Sequence, residues 1–211
     1  EVCGYLGKVI QQRREQPGDD LISRILQIKV GDRPLTHLEA LSECSLVLFG
    51  GLDTVAGTMG FFARYLATHP EHRRELATHP ERIPQAIEEL LRRHSIPTIS
   101  RVVTRDVELD GVTLKAGDYV QLTTCFHGLD ERRWENPLEV QFGRCGPTDH
   151  MAFGKGVHRC PGANLARGEL RVFLEEWLKR IPDFEIKPGE EAVTATGAVA
   201  GVLSLPLVWD V

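Results

Sequence analysis

The chain has 211 residues, 42% of them hydrophobic and 26% charged, with a formal net charge of −5. That length can bury one sizeable core, and the composition is that of an ordinary soluble globular protein. No lysine/arginine run stands out, which argues against nucleic acid, and no apolar run reaches the length of a membrane span, which argues against a membrane partner.

The first elements are helical: residues 2–15, then about 19–29 after Pro17-Gly18. Thr36-x-x-Glu39, just after Pro34, reads as a capping box opening a helix. Apolar residues at Leu38, Leu41, Leu48, Phe49, Val55, Phe62 and Leu66 continue it to about residue 68 without a proline. Such a helix would span roughly 50 Å. In its middle, Gly50 and Gly51 each cost about 1 kcal/mol relative to alanine. A helix that accepts this cost usually needs a local distortion or a close ligand, and a packing notch is the plainer alternative.

A short helix is expected from Glu71 to Thr78, with prolines on both sides, and another over about 84–94. The latter carries Glu89 and Arg92, three apart and so on one face. Alone, such a pair is a solvated salt bridge worth under about 1 kcal/mol. Pro97 stops the helix, because proline disfavours helical backbone in the residue before it.

Strand character follows at Val102-Val103. Val107 to Leu109 and Val112 to Leu114 flank Asp110-Gly111, a strong hairpin signal. Residues 126–150 lack periodicity, and so long an irregular stretch in a compact domain is normally functional. A last long helix is expected over about 163–180, with short strands near 184–187 and 202–208. The fold class is therefore mainly α with small β elements.

The irregular stretch leads into Phe153-Gly-Lys-Gly-Val-His-Arg-Cys160-Pro-Gly162. Gly154 and Gly156 permit backbone angles that side chains forbid, and they let the chain lie flat against a planar ligand. Cys160 lies just before the N-terminus of the last long helix, where the dipole and loop N–H groups favour thiolate over thiol. Phe153 can cover the sulfur. A lone thiolate on a rigid loop suits the axial position of a haem iron. A structural cysteine in a turn is the plainer reading of the same residue. The other cysteines (Cys3, Cys44, Cys125, Cys145) form no C-x-x-C pair, which suits free thiols in a reducing cytoplasm and speaks against zinc.

The loop F-G-x-G-x-H-x-C-x-G resembles the haem-ligand loop of the cytochrome P-450 family. Three further features resemble the same family in the right order: Gly50-Gly-Leu-Asp-Thr54, the E-x-x-R of Glu89 and Arg92, and Pro137 to Arg144. Gly50 to Thr54, Glu88 to Arg93, Ile181 to Phe184 and Leu205 to Trp209 look most like the bacterial camphor-hydroxylating subfamily. A complete family member is about twice as long, so the resemblance implies that residues 1–211 are the carboxy-terminal portion of a haem domain, with the amino-terminal half absent.

The resemblance implies haem b (iron protoporphyrin IX) with Cys160 as the metal ligand. It places Arg101 and His158 at haem propionates, with Phe153, Gly154 and Gly162 also against the cofactor. Asp53 and Thr54 match the acid–alcohol pair that manages proton delivery to dioxygen. Glu89, Arg92 and Arg144 match a buried structural triad that holds the cysteine loop. Leu46, Phe49, Gly50, Pro97, Ile99, Ala198 and Val199 match the substrate pocket. Ile99 and Phe49 stand where the camphor-type enzymes carry an acid and a valine, which points away from camphor itself.

The implied activity is that of a haem-thiolate monooxygenase, an oxidoreductase that hydroxylates a small apolar, terpenoid-like molecule. No G-x-G-x-x-G fingerprint is present, so electrons would come from a partner. Lys155, Arg159, Arg167 and Arg171 form a candidate basic patch for an acidic ferredoxin. Two alternatives are a peroxide-driven haem-thiolate enzyme, which usually lacks the acid–alcohol pair, and a haem-binding module without oxygenase activity.

Overall fold

In the structure, a computed structural model describing residues 1–210, the chain divides into two compact units, residues 1–53 and 54–211. The first unit holds α1 (Val2–Glu15), α2 (Leu21–Ile25), the two-residue strands β1 (Lys29–Val30) and β2 (Arg33–Pro34), and the start of α3 (His37–Thr68). Leu6, Ile10, Ile25, Leu35, Ala40 and Cys44 form its core.

The expected capping box is present and reciprocal. The Glu39 amide donates to Thr36 Oγ1 at 3.2 Å, and the Thr36 amide donates to Glu39 Oε2 at 2.8 Å. The neighbouring Arg33 guanidinium, together with these Thr36 bonds, holds the Glu39 carboxyl down at about 2. Two free N–H groups of the helix start are thereby satisfied, which fixes where α3 begins.

The second expected helix is shorter than predicted. It covers Leu21–Ile25, capped by Asp20, which accepts from the Ser23 amide at 2.8 Å. Residues 29–34 instead form the β1–β2 ribbon. Strands of two residues are too short to show a period of two.

The membrane expectation also needs correcting. α3 is long and apolar enough by length and composition to cross a bilayer, with a mean hydropathy of 1.5 over its best window. Its glycines, alanines and threonines keep any single stretch from looking strongly apolar, while the window average is high. Length and composition alone are weak evidence for a span.

The second unit contains the rest of α3, α4 (Pro70–Thr78), α5 (Ile83–Arg93), β3 (Thr98–Val102), β4 (Val107–Leu109), β5 (Val112–Leu114), β6 (Tyr119–Thr123), α6 (Thr124–Gly128), α7 (Ala163–Arg180), β7 (Glu185–Ile186), β8 (Val193–Ala195), β9 (Gly201–Ser204) and β10 (Leu207–Val208). Single 3₁₀ turns occupy Pro80–Arg82 and Gly156–His158. Phe62, Leu66, Leu76, Ile83, Leu90, Leu170, Leu174 and Phe184 build the core where α3, α4, α5 and α7 meet. Each buried side chain of this size contributes about 1.5–3 kcal/mol.

The β elements are small antiparallel pairs: β3 with β6, β4 with β5, β8 with β9, and β10 with β7. The hairpin at Asp110-Gly111 forms as expected, with φ of 47° and 79° at the two turn residues. These angles suit the turn that matches strand twist. β6, β8 and α6 go beyond the expected elements: β6 alternates (Val120, Gln121, Leu122, Thr123) over too few residues to stand out, β8 has only three residues, and α6 takes the first residues of the stretch expected to be irregular. Residues 129–155 carry no helix or strand.

Candidate functional site

The cysteine loop is closed by its own backbone. The Cys160 amide donates to the Phe153 carbonyl at 2.8 Å, and the Gly154 amide donates to Met151 at 2.9 Å. Gly154 and Gly156 sit at φ +66° and +70°, a left-handed conformation costing a side-chain-bearing residue about 1–2 kcal/mol. Gly162 carries no such backbone constraint. Its φ is −83°, and an added Cβ would lie 3.8 Å from Cys160 Sγ. Cys160 is exposed, as are Val157, His158 and Arg159.

Two adjacent glutamates of α5 tie the surrounding chain together. Glu89 and Arg92 are fully buried, with Arg92 Nε 2.8 Å from Glu89 Oε2 and Nη2 2.9 Å from Oε1. The remaining donors of Arg92 go to the carbonyls of Gly128, Pro137 and Glu139. A guanidinium has five N–H groups, and here each meets an acceptor. The Gln141 amide donates to Glu89 Oε1 at 3.0 Å. Arg144 approaches the same oxygen at 3.6 Å through Nε, and its Nη1 donates to the Glu135 carbonyl at 2.9 Å. Glu89, Arg92 and Arg144 are thus brought together, with Arg144 the loosest member.

Glu88 anchors a second cluster. It accepts from Arg167 Nε at 2.6 Å and Nη2 at 2.9 Å, and from His150 Nε2 at 2.9 Å. Burial pushes the Glu88 carboxyl up, but hydrogen bonds from His150 and Arg167 and the Arg167 charge outweigh it and hold the group below its ordinary value. The Arg167 guanidinium also lies over the Phe153 ring, 4.6 Å from its centroid.

This corrects the expected basic patch. Arg167 is an interior ion-pair partner, not a free surface cation, and Arg171 pairs with Glu175 at 2.7 Å. Buried carboxylates draw in any arginine within reach, because an unpaired charge there is far more costly. Lys155 and Arg159 stay exposed. Glu88 and His150 were missed as members of a cluster. The sequence carries no signal for it, because two consecutive acids about 100° apart fit equally well on one broad solvated helix face.

Arg101 lies on β3 and is exposed, and the hydrogen bond found for its side chain goes to the Ser100 carbonyl at 2.9 Å. Among the described residues it has no carboxylate partner. The predicted pocket residues of the second unit come together despite their separation in sequence. Pro97 and Val199 form a β-bridge, and the Thr98 amide donates to the Ala198 carbonyl at 2.9 Å. Ile99 follows on β3, paired with Leu122.

In the first unit, Leu46, Phe49, Gly50 and Asp53 stand at i, i+3, i+4 and i+7 of α3 and so share one helix face. Leu46 and Phe49 are 67% and 53% exposed. The helix stays α-helical through Gly50 and Gly51, as its expected extent to residue 68 requires. Among the described residues nothing outside the helix's own backbone lies within 4 Å of a Cβ built on either glycine, so none of them packs into a notch there. Thr54 follows, its carbonyl accepting from Thr58 Oγ1 at 2.8 Å.

The residues present fit a haem. The donor is a single exposed sulfur on a loop fixed by two left-handed glycines. Cations suited to propionates, Arg101 and His158, have no protein carboxylate among the described residues. Among the described residues no group of three or more His, Cys, Asp or Glu side chains is placed to hold a metal ion, and a single thiolate suits a haem better than a multi-ligand metal site.

Known proteins point the same way. A structure of CYP101C1 superposes with a TM-score of 0.93 at 47% identity, over 99% of this chain and 53% of that one. A structure of CYP101J2 gives 0.92 at 44% identity, over 99% and 53%. By sequence, the probable cytochrome P450 127A1 of Sinorhizobium fredii is 39% identical over 99% of this chain and 50% of its own length. The mycinamicin IV hydroxylase/epoxidase of Micromonospora griseorubida is 36% identical over 99% and 54%. The chain spans about half the length of the curated relatives it matches. Residues 81–206 match the model of the Cytochrome P450 family, a span that takes in both glutamate clusters and the whole cysteine loop, and the chain belongs to that family, with its fold.

Proposed function

We propose that this chain serves a haem-thiolate monooxygenase that hydroxylates a small apolar molecule. The observation that carries the reading is Cys160, an exposed thiol at the end of a backbone-locked loop. The relatives include proteins named as a hydroxylase/epoxidase and a dihydroxylase. Haem bound through one thiolate supplies dioxygen activation, because the sulfur donates electron density that favours O–O cleavage.

The chain's own residues bind, orient and move protons. Cys160 would hold the iron through sulfur, with Phe153, Gly154 and Gly162 flanking the cofactor. Arg101 and His158 would pair with the propionates, for which a guanidinium is well shaped. Asp53 and Thr54 would carry protons from solvent along α3. Leu46, Phe49 and Gly50 of the first unit, and Pro97, Ile99, Ala198 and Val199 of the second, would each present apolar surface to the substrate. An apolar surface discriminates by only about 1–3 kcal/mol per methylene, so shape near Phe49 would set preference.

The apolar face of α3 supports a substrate wall rather than a membrane span, because Asp53 stands on that face. A charge at the middle of a span costs about 2.5–3.5 kcal/mol or more. Lys155 and Arg159 remain as contacts for an acidic ferredoxin, and a reducing compartment such as the cytoplasm suits the five free cysteines.

The test is the absorption spectrum of the reduced, carbon monoxide-bound protein. A strongly red-shifted haem band that disappears in Cys160→His is expected. Persistence of that band in the variant would mean another ligand holds the iron. Thr54→Ala is expected to keep the band while lowering the yield of hydroxylated product per electron consumed. An unchanged yield would remove Thr54 from the proton path, and a wild type that shows the band but makes no hydroxylated product would favour a non-oxygenase haem module.

A further inference from the structure

Outside the Glu89 triad, one buried cluster has no part in the roles assigned so far. Glu88, His150 and Arg167 come from three separate stretches of the chain, and their side chains are 9%, 1% and 17% exposed. His150 precedes the cysteine loop, and Arg167 follows it on the first turns of α7. Both end on one carboxylate.

The bonding is well defined. Arg167 meets Glu88 with a fork, Nε on Oε1 and Nη2 on Oε2. His150 Nδ1 accepts from the Ala152 amide at 3.2 Å, so the tautomer with its proton on Nε2 satisfies both this bond and the one to Glu88. Arg167 Nη2 also donates to the Pro147 carbonyl at 3.0 Å. Its guanidinium covers the ring of Phe153, the residue whose carbonyl receives the Cys160 amide. A continuous path of contacts therefore runs from Glu88 through Arg167 and Phe153 to the backbone of Cys160.

We propose that Glu88 is a positioning residue for the Cys160 loop, gripping the chain on both sides of the sulfur through His150 and Arg167, independently of the Glu89–Arg92–Arg144 cluster. The proposal rests on the reading of Cys160 as the haem ligand. A purely structural brace between α5 and α7 would need only Glu88 and Arg167. The engagement of His150, and the stacking of Arg167 on Phe153, aim the cluster at the loop. Partners that orient a ligand without touching the metal commonly change affinity or activity by about 10–100-fold when removed.

The experiment uses the haem-loaded protein that carries this chain, as wild type and as Glu88→Gln, Arg167→Met, Arg167→Lys and Arg180→Gln. Haem release to an excess of an apo-globin scavenger is timed, and the reduced carbon monoxide spectrum is recorded. Glu88→Gln and Arg167→Met are expected to release haem roughly tenfold faster and to show a smaller thiolate fraction. Arg167→Lys, which keeps the charge and loses the fork, is expected to fall between them and wild type. Arg180→Gln, which loses an exposed pair with Glu176 at the far end of α7, is expected to match wild type.

Wild-type release and a full thiolate band in Glu88→Gln and Arg167→Met would overturn the proposal, as would lowered thermal stability with release unchanged. If those two variants fail to fold, Arg167→Lys decides by the same measure, with wild-type behaviour counting against the proposal. A wild type without any thiolate band is a separate result, because it removes Cys160 as ligand whatever the variants do.

Discussion

Glu88 and Glu89 are neighbours on α5, yet their carboxylates hold different parts of the chain. Glu89 takes Arg92 and the Gln141 amide, while Glu88 takes Arg167 and His150. Successive helical residues point about 100° apart, so one short stretch of helix faces two sides of the structure. The irregular stretch and the cysteine loop are therefore fastened to the same turn by separate bonds.

Removing one partner of the buried pair is expected to be severe. Arg92→Ala should cost about 3–5 kcal/mol, because it leaves Glu89 charged and buried. Arg92→Lys should recover little, since a lysine offers three donors where five acceptors wait. Urea unfolding of the two variants against Arg180→Ala, whose exposed pair is worth about 1 kcal/mol or less, measures the difference. Similar losses in all three would mean the buried pair adds nothing special.

The loop glycines should respond differently to the same substitution. Gly154→Ala and Gly156→Ala each force a side chain into left-handed backbone, at about 1–2 kcal/mol. Gly162→Ala meets no such strain, and its methyl group would rest against Cys160 Sγ. It is expected to leave the unfolding midpoint nearly unchanged and to shift the haem absorption bands. Equal destabilisation at all three positions would contradict the backbone geometry.

Gly128 is fixed by closeness rather than by its own dihedral angles. A Cβ there would lie 2.1 Å from the Arg92 carbonyl oxygen, which is backbone and cannot turn aside. Gly128→Ala is expected to destabilise by about 1–3 kcal/mol through forced separation of α5 and α6. Gly50→Ala, with open space around it, should instead gain up to about 1 kcal/mol of helix stability. Thermal melts of the pair test the contrast in sign.

His94 gives a pH signature. Burial, reinforced by Arg93 and Arg64, depresses it from 6.5 to about 3, and Phe61 stacks on its ring. A base with a lowered folded value binds fewer protons folded than unfolded between those limits. Its stabilising contribution is complete above about pH 6.5 and declines as the pH falls toward 3. Glu88, held below its ordinary value, adds a loss in the acid range with the same sign. His94→Phe is expected to flatten the slope of stability against pH between pH 4 and 6, roughly the window those values set. An unaltered slope would place the acid sensitivity elsewhere.

Much of this structure was legible in the residues. α3 was readable end to end because Thr36 and Glu39 mark its start and no proline intervenes before Pro70. The hairpin at Asp110-Gly111 was readable because only a few residues accept positive φ in succession. The cysteine loop was readable for the same reason, its glycines being spaced by backbone need. What escaped was decided by distant partners. Arg167 looks like any helix-surface arginine until Glu88, far back in the chain, is folded against it. β1 and β2 escaped because two residues cannot display an alternation. The depth of Glu89 and Arg92 could not follow from their spacing, which is equally that of a solvated pair.

The five bonds of Arg92 also bear on the order in which the chain assembles. Three of its acceptors belong to Gly128, Pro137 and Glu139, which leave the ribosome well after α5. Until they arrive, the guanidinium must stay hydrated, so the inner face of α5 cannot close early. Pulsed hydrogen exchange during refolding should accordingly protect the amides of α5 and of residues 138–141 in one late step, and early protection of α5 alone would refute that sequence of events.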